Sequence, residues 1–568
     1  MTLGDRLADR LLGLPPATTG DVAVERDLPV PMRDGVTLRA DRHVPAGDDR
    51  APLLLVRTPY GRRGSVGRLP GWGRAAARRG LQAVIVSTRG TGGSEGDLDP
   101  MLERDDGVDT VAWLRAQPWY PGRFATAGPG YLGLTQWAIA DAAPGELVAM
   151  VPMVSAAQFG HLHHPGGVTA LQAPLDWTIR MARAGRRGPA PLRGPLRASR
   201  LRAALRSLPV ERMDVAASGR DTGWWRAWVT NTDPDGDAYW QRRDHRPQVG
   251  ATTAEVLLIA AWDDILLPWQ LDDHAALVAA GRSPRLVVGP WDHGRGSAQV
   301  GAALTFVHGV LTGDGADAPG GGDVSARGRR DAGGGAPHPG DGAGPVRLYV
   351  TGADQWRDLA AWPVPEAQPT PLYLRAGGAL GLPPEDDDAA ATVFRYDPTD
   401  PTPNVGGPVW GETARRRQDG LIARDDVVAF AGRILDEPVE IIGPVTATIH
   451  LRSTIDHAQL FVRLCDVDAQ GRTWHVCDGI QRVDDGRWPR GADRVRCVRV
   501  RLWPTAHRFL PGHRIRVLIA GGAHPRFVRA FGTGEPVATA TRGRRATHEV
   551  LHDAGHPSSI ELPIMPLR

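Results

Sequence analysis

The strand-like run Arg123-Phe-Ala-Thr-Ala127 breaks into Gly128-Pro-Gly-Tyr-Leu-Gly133 and then into the helix-like Leu134-Thr-Gln-Trp-Ala-Ile-Ala140. A strand that becomes a helix across a few glycine-bracketed residues demands an α/β fold, because only there does a buried strand hand over directly to a crossover helix. The motif that sets a serine on such a corner reads G-x-S-x-G. Here Gly128 and Gly133 bracket the turn, the second one place later than the pattern asks, and the centre is Gly130. A glycine has no oxygen with which to attack anything.

The same alternation extends along the first half of the chain. Pro52-Leu-Leu-Leu-Val-Arg57, Ala83-Val-Ile-Val-Ser87 and Val148-Ala-Met-Val151 read as buried strands of a mostly parallel sheet, with Asp105 to Leu114 and Leu132 to Ala140 as crossover helices. Strand signals return at Val256-Leu-Leu-Ile-Ala260 and Arg285-Leu-Val-Val288. The pattern predicts an α/β-hydrolase type of doubly wound core in two parts, 1–154 and 248–311. Residues 155–247 interrupt it with a Trp-, Arg- and Leu-rich region whose Leu171, Leu175, Trp177, Ile179 and Met181 follow helical spacing, which predicts an inserted helical cap over the mouth of a site. Residues 312–344 collapse into Gly, Ala, Asp, Pro and Arg and read as a linker or surface loop. From 345 to 568, runs such as Val346-Arg-Leu-Tyr-Val350, Val445 to Leu451, Ala458 to Leu464 and His513 to Ile519 predict a C-terminal jelly-roll β-sandwich.

Composition narrows the function classes. A chain of 568 residues exceeds the usual ~250–300 residues of one core, in keeping with two or three domains. The formal charge of +3 gives no reason to expect a nucleic-acid or membrane partner. Every basic residue is arginine, so a run such as Arg197 to Arg202 reads as a polar helix face. Cys465, Cys477 and Cys497 are odd in number, lie in strand-like sequence without metal spacing, and read as buried thiols in a reducing compartment. The first twenty residues carry Asp5, Arg6, Asp9 and Arg10 and lack a signal-type apolar core; no run of ~18 apolar residues follows, so a soluble, cytoplasmic protein is expected. His161, His163 and His164 have no carboxylate or cysteine at ligand spacing, so they are expected to start a cap helix lining the pocket and not to hold metal. No phosphate-cradling glycine loop occurs at a strand-to-helix junction, and no cofactor is expected.

In a Ser-His-acid hydrolase the acid and the imidazole follow the nucleophile in that order, on loops after later strands. Asp264 follows the strand at 256–260, and His293 follows the strand at 285–288. Asp264 would orient the ring and stabilise imidazolium, and His293 would act as general base and acid.

With these residues the chain closely resembles the cocaine-esterase-like hydrolases, which share their architecture with Xaa-Pro dipeptidyl peptidases, α-amino-acid ester hydrolases and cephalosporin acylases. The resemblance covers nearly the whole sequence: Met32 to Leu38, Arg57-Thr-Pro-Tyr60, Thr88-Arg-Gly90, Ser94-Glu-Gly96, Tyr131 to Trp137, Gly352 to Arg357, Asp397 to Pro401, Pro511 to Arg514 and Pro525-Arg-Phe527. It implies that the Tyr60 hydroxyl and the Tyr131 backbone N–H form an oxyanion hole, that Asp264 and His293 complete a dyad, and that the family's serine maps onto Gly130. Pro129 beside the missing serine, Val528-Arg-Ala-Phe-Gly532 and the 312–344 insertion depart from the family's pattern.

Three readings follow. The first is a family hydrolase for acyl esters or aminoacyl and peptide amides whose serine is replaced in this copy. The second is a repurposed enzyme in which His293 acts directly as general base on a water or substrate group, in hydrolysis, elimination or proton transfer near a carbonyl. The third is a non-catalytic ligand-binding protein. Pro129 beside Gly130 favours natural divergence, whereas the presence of Tyr60, Asp264 and His293 argues against drift into a pseudoenzyme. The partner implied is a small-molecule acyl ester or amide, with a homodimer allowed for.

Overall fold

The computed structural model describes residues 14, 16–63, 69–182, 195–313, 344–384, 391–410, 414–491 and 493–566. Ten strands form the first sheet: β1 (Val22–Pro31), β2 (Thr37–Pro45), β3 (Leu53–Thr58), β4 (Gln82–Ser87), β5 (Phe124–Pro129), β6 (Leu147–Met153), β7 (Glu255–Asp263), β8 (Arg285–Asp292), β9 (Val346–Val350) and β10 (Gln355–Leu359). Their order is β1-β2-β4-β3-β5-β6-β7-β8-β9-β10. From β4 to β9 every neighbour pair is parallel, while β1 and β10 close the edges antiparallel. Helices cover both faces, which explains why β3 and β4 are buried along their whole length and read as unbroken apolar runs.

The strand pattern was legible within one to four residues, and the mismatch is instructive. β7 and β8 run on to Asp263 and Asp292, which pair with each other beyond the apolar stretch. Backbone pairing thus carries Asp264 and His293 to the sheet's rim, each one residue past a strand end.

The pair β9–β10 corrects one expectation. Val346–Val350 was assigned to the second domain, but it hydrogen-bonds to β8 and extends the first sheet. Its alternating burial is that of any half-covered strand, and local pattern does not say which sheet will take it. The expected linker at 312–344 lies almost wholly outside the described residues.

Between β6 and β7 the cap is a set of short helices, with Gln172–Met181, Met213–Ser218 and Trp224–Thr230 packed around buried tryptophans. The remaining strands form a 13-stranded all-β domain. It docks on the turn after β9, where Thr351 N–H donates to the Ala506 carbonyl and Arg508 N–H to Thr351. Cys465 and Cys477 are buried there as expected; Cys497 is exposed, because it falls on the outward face of the alternating strand Arg496–Arg501. No helix among the described residues is long and apolar enough to cross a membrane.

Candidate active site

The corner after β5 is a true strand-to-helix turn. Gly130 (φ 54°, ψ −118°) caps the wholly buried helix Tyr131–Trp137, a backbone conformation that costs an L-residue roughly 1–3 kcal/mol. Gly130 N–H donates to the Met153 carbonyl at 2.9 Å, and the Ser155 hydroxyl donates to the Gly130 carbonyl at 2.7 Å, so the corner is tied to the end of β6. Gly133 is required for a different reason: a Cβ there would collide with the Ser155 side chain. Pro129, the last residue of β5, sits opposite Met153.

The two later strands bring His293 to this corner. A Cβ built on Gly130 would lie 3.2 Å from His293 Nε2. On the other side of the ring, Nδ1 meets Asp264 Oδ1 at 2.6 Å. A carboxylate oxygen only accepts, so Nδ1 donates and the Nε2 lone pair faces the empty side of Gly130. Asp264 is fully buried; its Oδ2 accepts from Leu266 N–H at 2.9 Å, and its backbone carbonyl accepts from the Trp503 indole at 3.0 Å. Asp292, N-cap of the helix His293–Ser297, accepts from Arg295 N–H and fixes the start of the segment bearing the imidazole.

Tyr131 N–H, at the first position of its helix, has no intrahelical acceptor. The Tyr131 phenol donates to Glu103 at 2.8 Å and accepts from Met101 N–H at 2.6 Å, while Arg57 pairs with Glu103 at 2.7 Å. Burial pushes Glu103 upward, opposed chiefly by the Arg57 charge. The ring of Tyr131 stacks on Trp177, centroids 5.9 Å apart and planes 4° from parallel. Tyr60 reaches the same wall through Trp177, whose indole donates to the Tyr60 oxygen at 3.2 Å; its own proton is left to donate, and burial raises its pKa.

Gly130, Tyr131 and His293 border a cavity open to solvent, of about 470 Å³ including its open mouth, walled by Met101, Phe159, Leu162, Trp177, Trp228 and Trp410. None of its lining residues is Asp, Glu or Arg. Trp410 comes from the all-β domain and covers the His293 ring at 4.6 Å, and the Arg180 guanidinium of the cap lies 5.7 Å from the centroid of the indole. Cap, sheet and all-β domain therefore meet on one imidazole.

The structure brings Gly130, Tyr131, Asp264 and His293 together, with Tyr60 joined through Trp177. The three cap histidines diverge: His161 faces Asp235 at 3.3 Å, His164 bonds the Trp228 carbonyl at 2.8 Å, and His163 lines the cavity. Among the described residues no group of three or more His, Cys, Asp or Glu is arranged to hold a metal. Sequence reasoning missed Glu103, which immediately precedes the helix Arg104–Arg115, and Trp410, which sits in a loop of another domain; neither carries a local signal.

Comparisons agree with this architecture. The X-Pro dipeptidyl-peptidase (S15 family) profile matches residues 34–295, and the X-Pro dipeptidyl-peptidase C-terminal non-catalytic domain matches 340–561. A cocaine esterase from Rhodococcus sp. (strain MB1 Bresler) is 31% identical over 605 aligned positions, covering 96% of this chain and 99% of that protein. Among solved structures, an aminopeptidase from a marine sediment Thaumarchaeota archaeon superposes with a TM-score of 0.78 at 22% identity, covering 97% of this chain and 98% of that one. An α-amino acid ester hydrolase does so with a TM-score of 0.75 at 22% identity, with the same coverage. The chain belongs to the cocaine-esterase-like, X-Pro dipeptidyl-peptidase (S15) family of α/β hydrolases.

Proposed function

We propose that the cavity binds acyl esters with the carbonyl at the Gly130 corner, its oxygen toward Tyr131 N–H and the Tyr60 hydroxyl, and that Gly130 denies the protein an acyl-enzyme route. The observation that carries this is the placement of Gly130: a side chain there would begin 3.2 Å from an imidazole whose far nitrogen is held by a buried carboxylate. Polar groups with that geometry support acyl transfer when a hydroxyl occupies the corner. Of the family's substrate types, the lining favours an acyl ester over a dipeptide with a free amino terminus, because an ammonium would meet no carboxylate among the lining residues.

The test is turnover of p-nitrophenyl benzoate by wild type and Gly130→Ser. The variant should show a burst and sustained turnover; wild type should stay roughly 10⁵–10⁶-fold slower, since the oxyanion hole and positioning alone give limited acceleration. Equal rates in the two proteins would remove the acyl-enzyme reading.

The free Nε2 lone pair favours a second reading. A water in the space beside Gly130 would meet His293 as general base, giving direct hydrolysis without a covalent intermediate. In that case His293→Ala, made in the wild-type background, should lose roughly 10²–10⁴-fold of the residual ester hydrolysis. An unchanged rate would leave binding as the cavity's role.

A further inference from the structure

We propose that His163 is the polar recognition group of the cavity and selects ligands that carry an uncharged hydroxyl on an otherwise flat, apolar acyl body. This rests on the reading of the cavity as the acyl-ester site. His163 ends the short helix Gly160–His163, lines the cavity and is only 5% exposed. Its ring packs on Trp228, with centroids 4.2 Å apart, and on Trp240, at 5.1 Å, which fix its plane. Its neighbours are engaged elsewhere: His164 Nε2 on the Trp228 carbonyl at 2.8 Å, and His161 with Asp235 at 3.3 Å. Among the described residues, no protein group hydrogen-bonds the His163 ring.

The ring borders the cavity, so a ligand that displaces water from it must pair its nitrogens or leave them unsatisfied at a cost. Burial, and secondarily His164, hold the imidazole well below its ordinary pKa, so it is neutral. A neutral imidazole offers one N–H and one lone pair. A hydroxyl can answer either one, whichever nitrogen carries the proton. A carboxylate would have to be desolvated against a neutral ring, and an ammonium would find no counter-charge in the lining. The faces of Trp177, Trp228 and Phe159 suit a planar acyl group.

Wild type, lacking a hydroxyl at the corner, allows binding to be read directly. Methyl benzoate, the methyl 2-, 3- and 4-hydroxybenzoates and methyl 4-carboxybenzoate are titrated against tryptophan fluorescence. At least one hydroxy isomer should bind about 5- to 10-fold tighter than methyl benzoate, the size of one net hydrogen bond. His163→Phe, which keeps a ring between the two tryptophans, should erase that gain, so that the hydroxybenzoates and methyl benzoate bind the variant with equal affinity. If methyl benzoate binds and no hydroxy isomer gains, or the gain survives in His163→Phe, or the carboxylate binds tightest, the role of His163 is overturned while the acyl-site reading stands. If no ester binds, the acyl-site reading falls and this inference with it. Absence of any hydroxyl gain on the unaltered protein overturns the role without reliance on folding of the variant, and loss of the gain in His163→Phe assigns it to this ring rather than to His293.

Discussion

Two aspartate–imidazole pairs, each built on a fully buried aspartate, differ in everything around them. At the sheet's rim, the carboxylate of fully buried Asp264 meets His293 at 2.6 Å and, among the described residues, otherwise only the Leu266 N–H. Beneath the all-β domain, fully buried Asp478 meets His475 at 3.0 Å, Arg463 at 2.9 Å and Arg526 at 2.7 Å. Asp478 is thus surrounded by cations, which hold its carboxyl far below the ordinary range despite burial. His475 spends Nε2 on that carboxylate, whereas His293 keeps Nε2 for the cavity. The contrast teaches how to tell a site from a strut. The strut is saturated with counter-charges, while the site pairs one acid with one ring and leaves the ring's other nitrogen facing open space.

The sharpest break in the comparison is kinetic. In the Gly130→Ser background, Asp264→Asn should lower acyl turnover by about 10⁴-fold through loss of the correct tautomer, with p-nitrophenyl benzoate as the readout. The next is thermodynamic. Asp478→Asn leaves two buried guanidinium groups without their anion and should cost about 3–5 kcal/mol in denaturant unfolding. Asp264→Asn loses the worth of about one hydrogen bond, ~1 kcal/mol. Equal losses in the two variants would erase the distinction between site and strut.

A smaller effect belongs to the corner. Gly130→Ser should itself destabilise the protein by about 1–3 kcal/mol, because serine must adopt φ +54° and the imbalance is made worse by a Cβ 3.2 Å from the imidazole. The gain of a nucleophile should therefore come with a lower unfolding midpoint; an unchanged midpoint would argue that the corner relaxes.

The smallest concerns Asp263, next to the site acid. Removal from water and then nearby Asp292 push its carboxyl up to about 7. A raised folded pKa gives stability that is present below the ordinary carboxylate range and lost as pH rises toward 7. Asp263→Asn should therefore raise the melting temperature at pH 8, with the gain shrinking toward pH 5. A gain independent of pH would contradict this sign.

Much of this was legible in the sequence, for identifiable reasons. The corner at Gly128–Gly133 could be read because strand, glycine turn and helix are contiguous, and Asp264 and His293 because each ends an apolar strand run. Glu103 and Trp410 act through contacts between segments distant in sequence, so their roles had no local signature. The misplacement of β9 has the same origin: which sheet a half-buried strand joins is set by tertiary pairing. His163 was expected to line the pocket, but its packing between Trp228 and Trp240 emerges only from the tertiary structure.

The central claim is that one side-chain-free corner faces an assembled imidazole–carboxylate pair. The most direct measurement is labelling of folded Gly130→Ser by a fluorophosphonate probe, with His293→Ala as the paired control. The account expects covalent labelling at position 130 that disappears when His293 is removed. A folded variant that takes no label, or one labelled equally well without the imidazole, would contradict it.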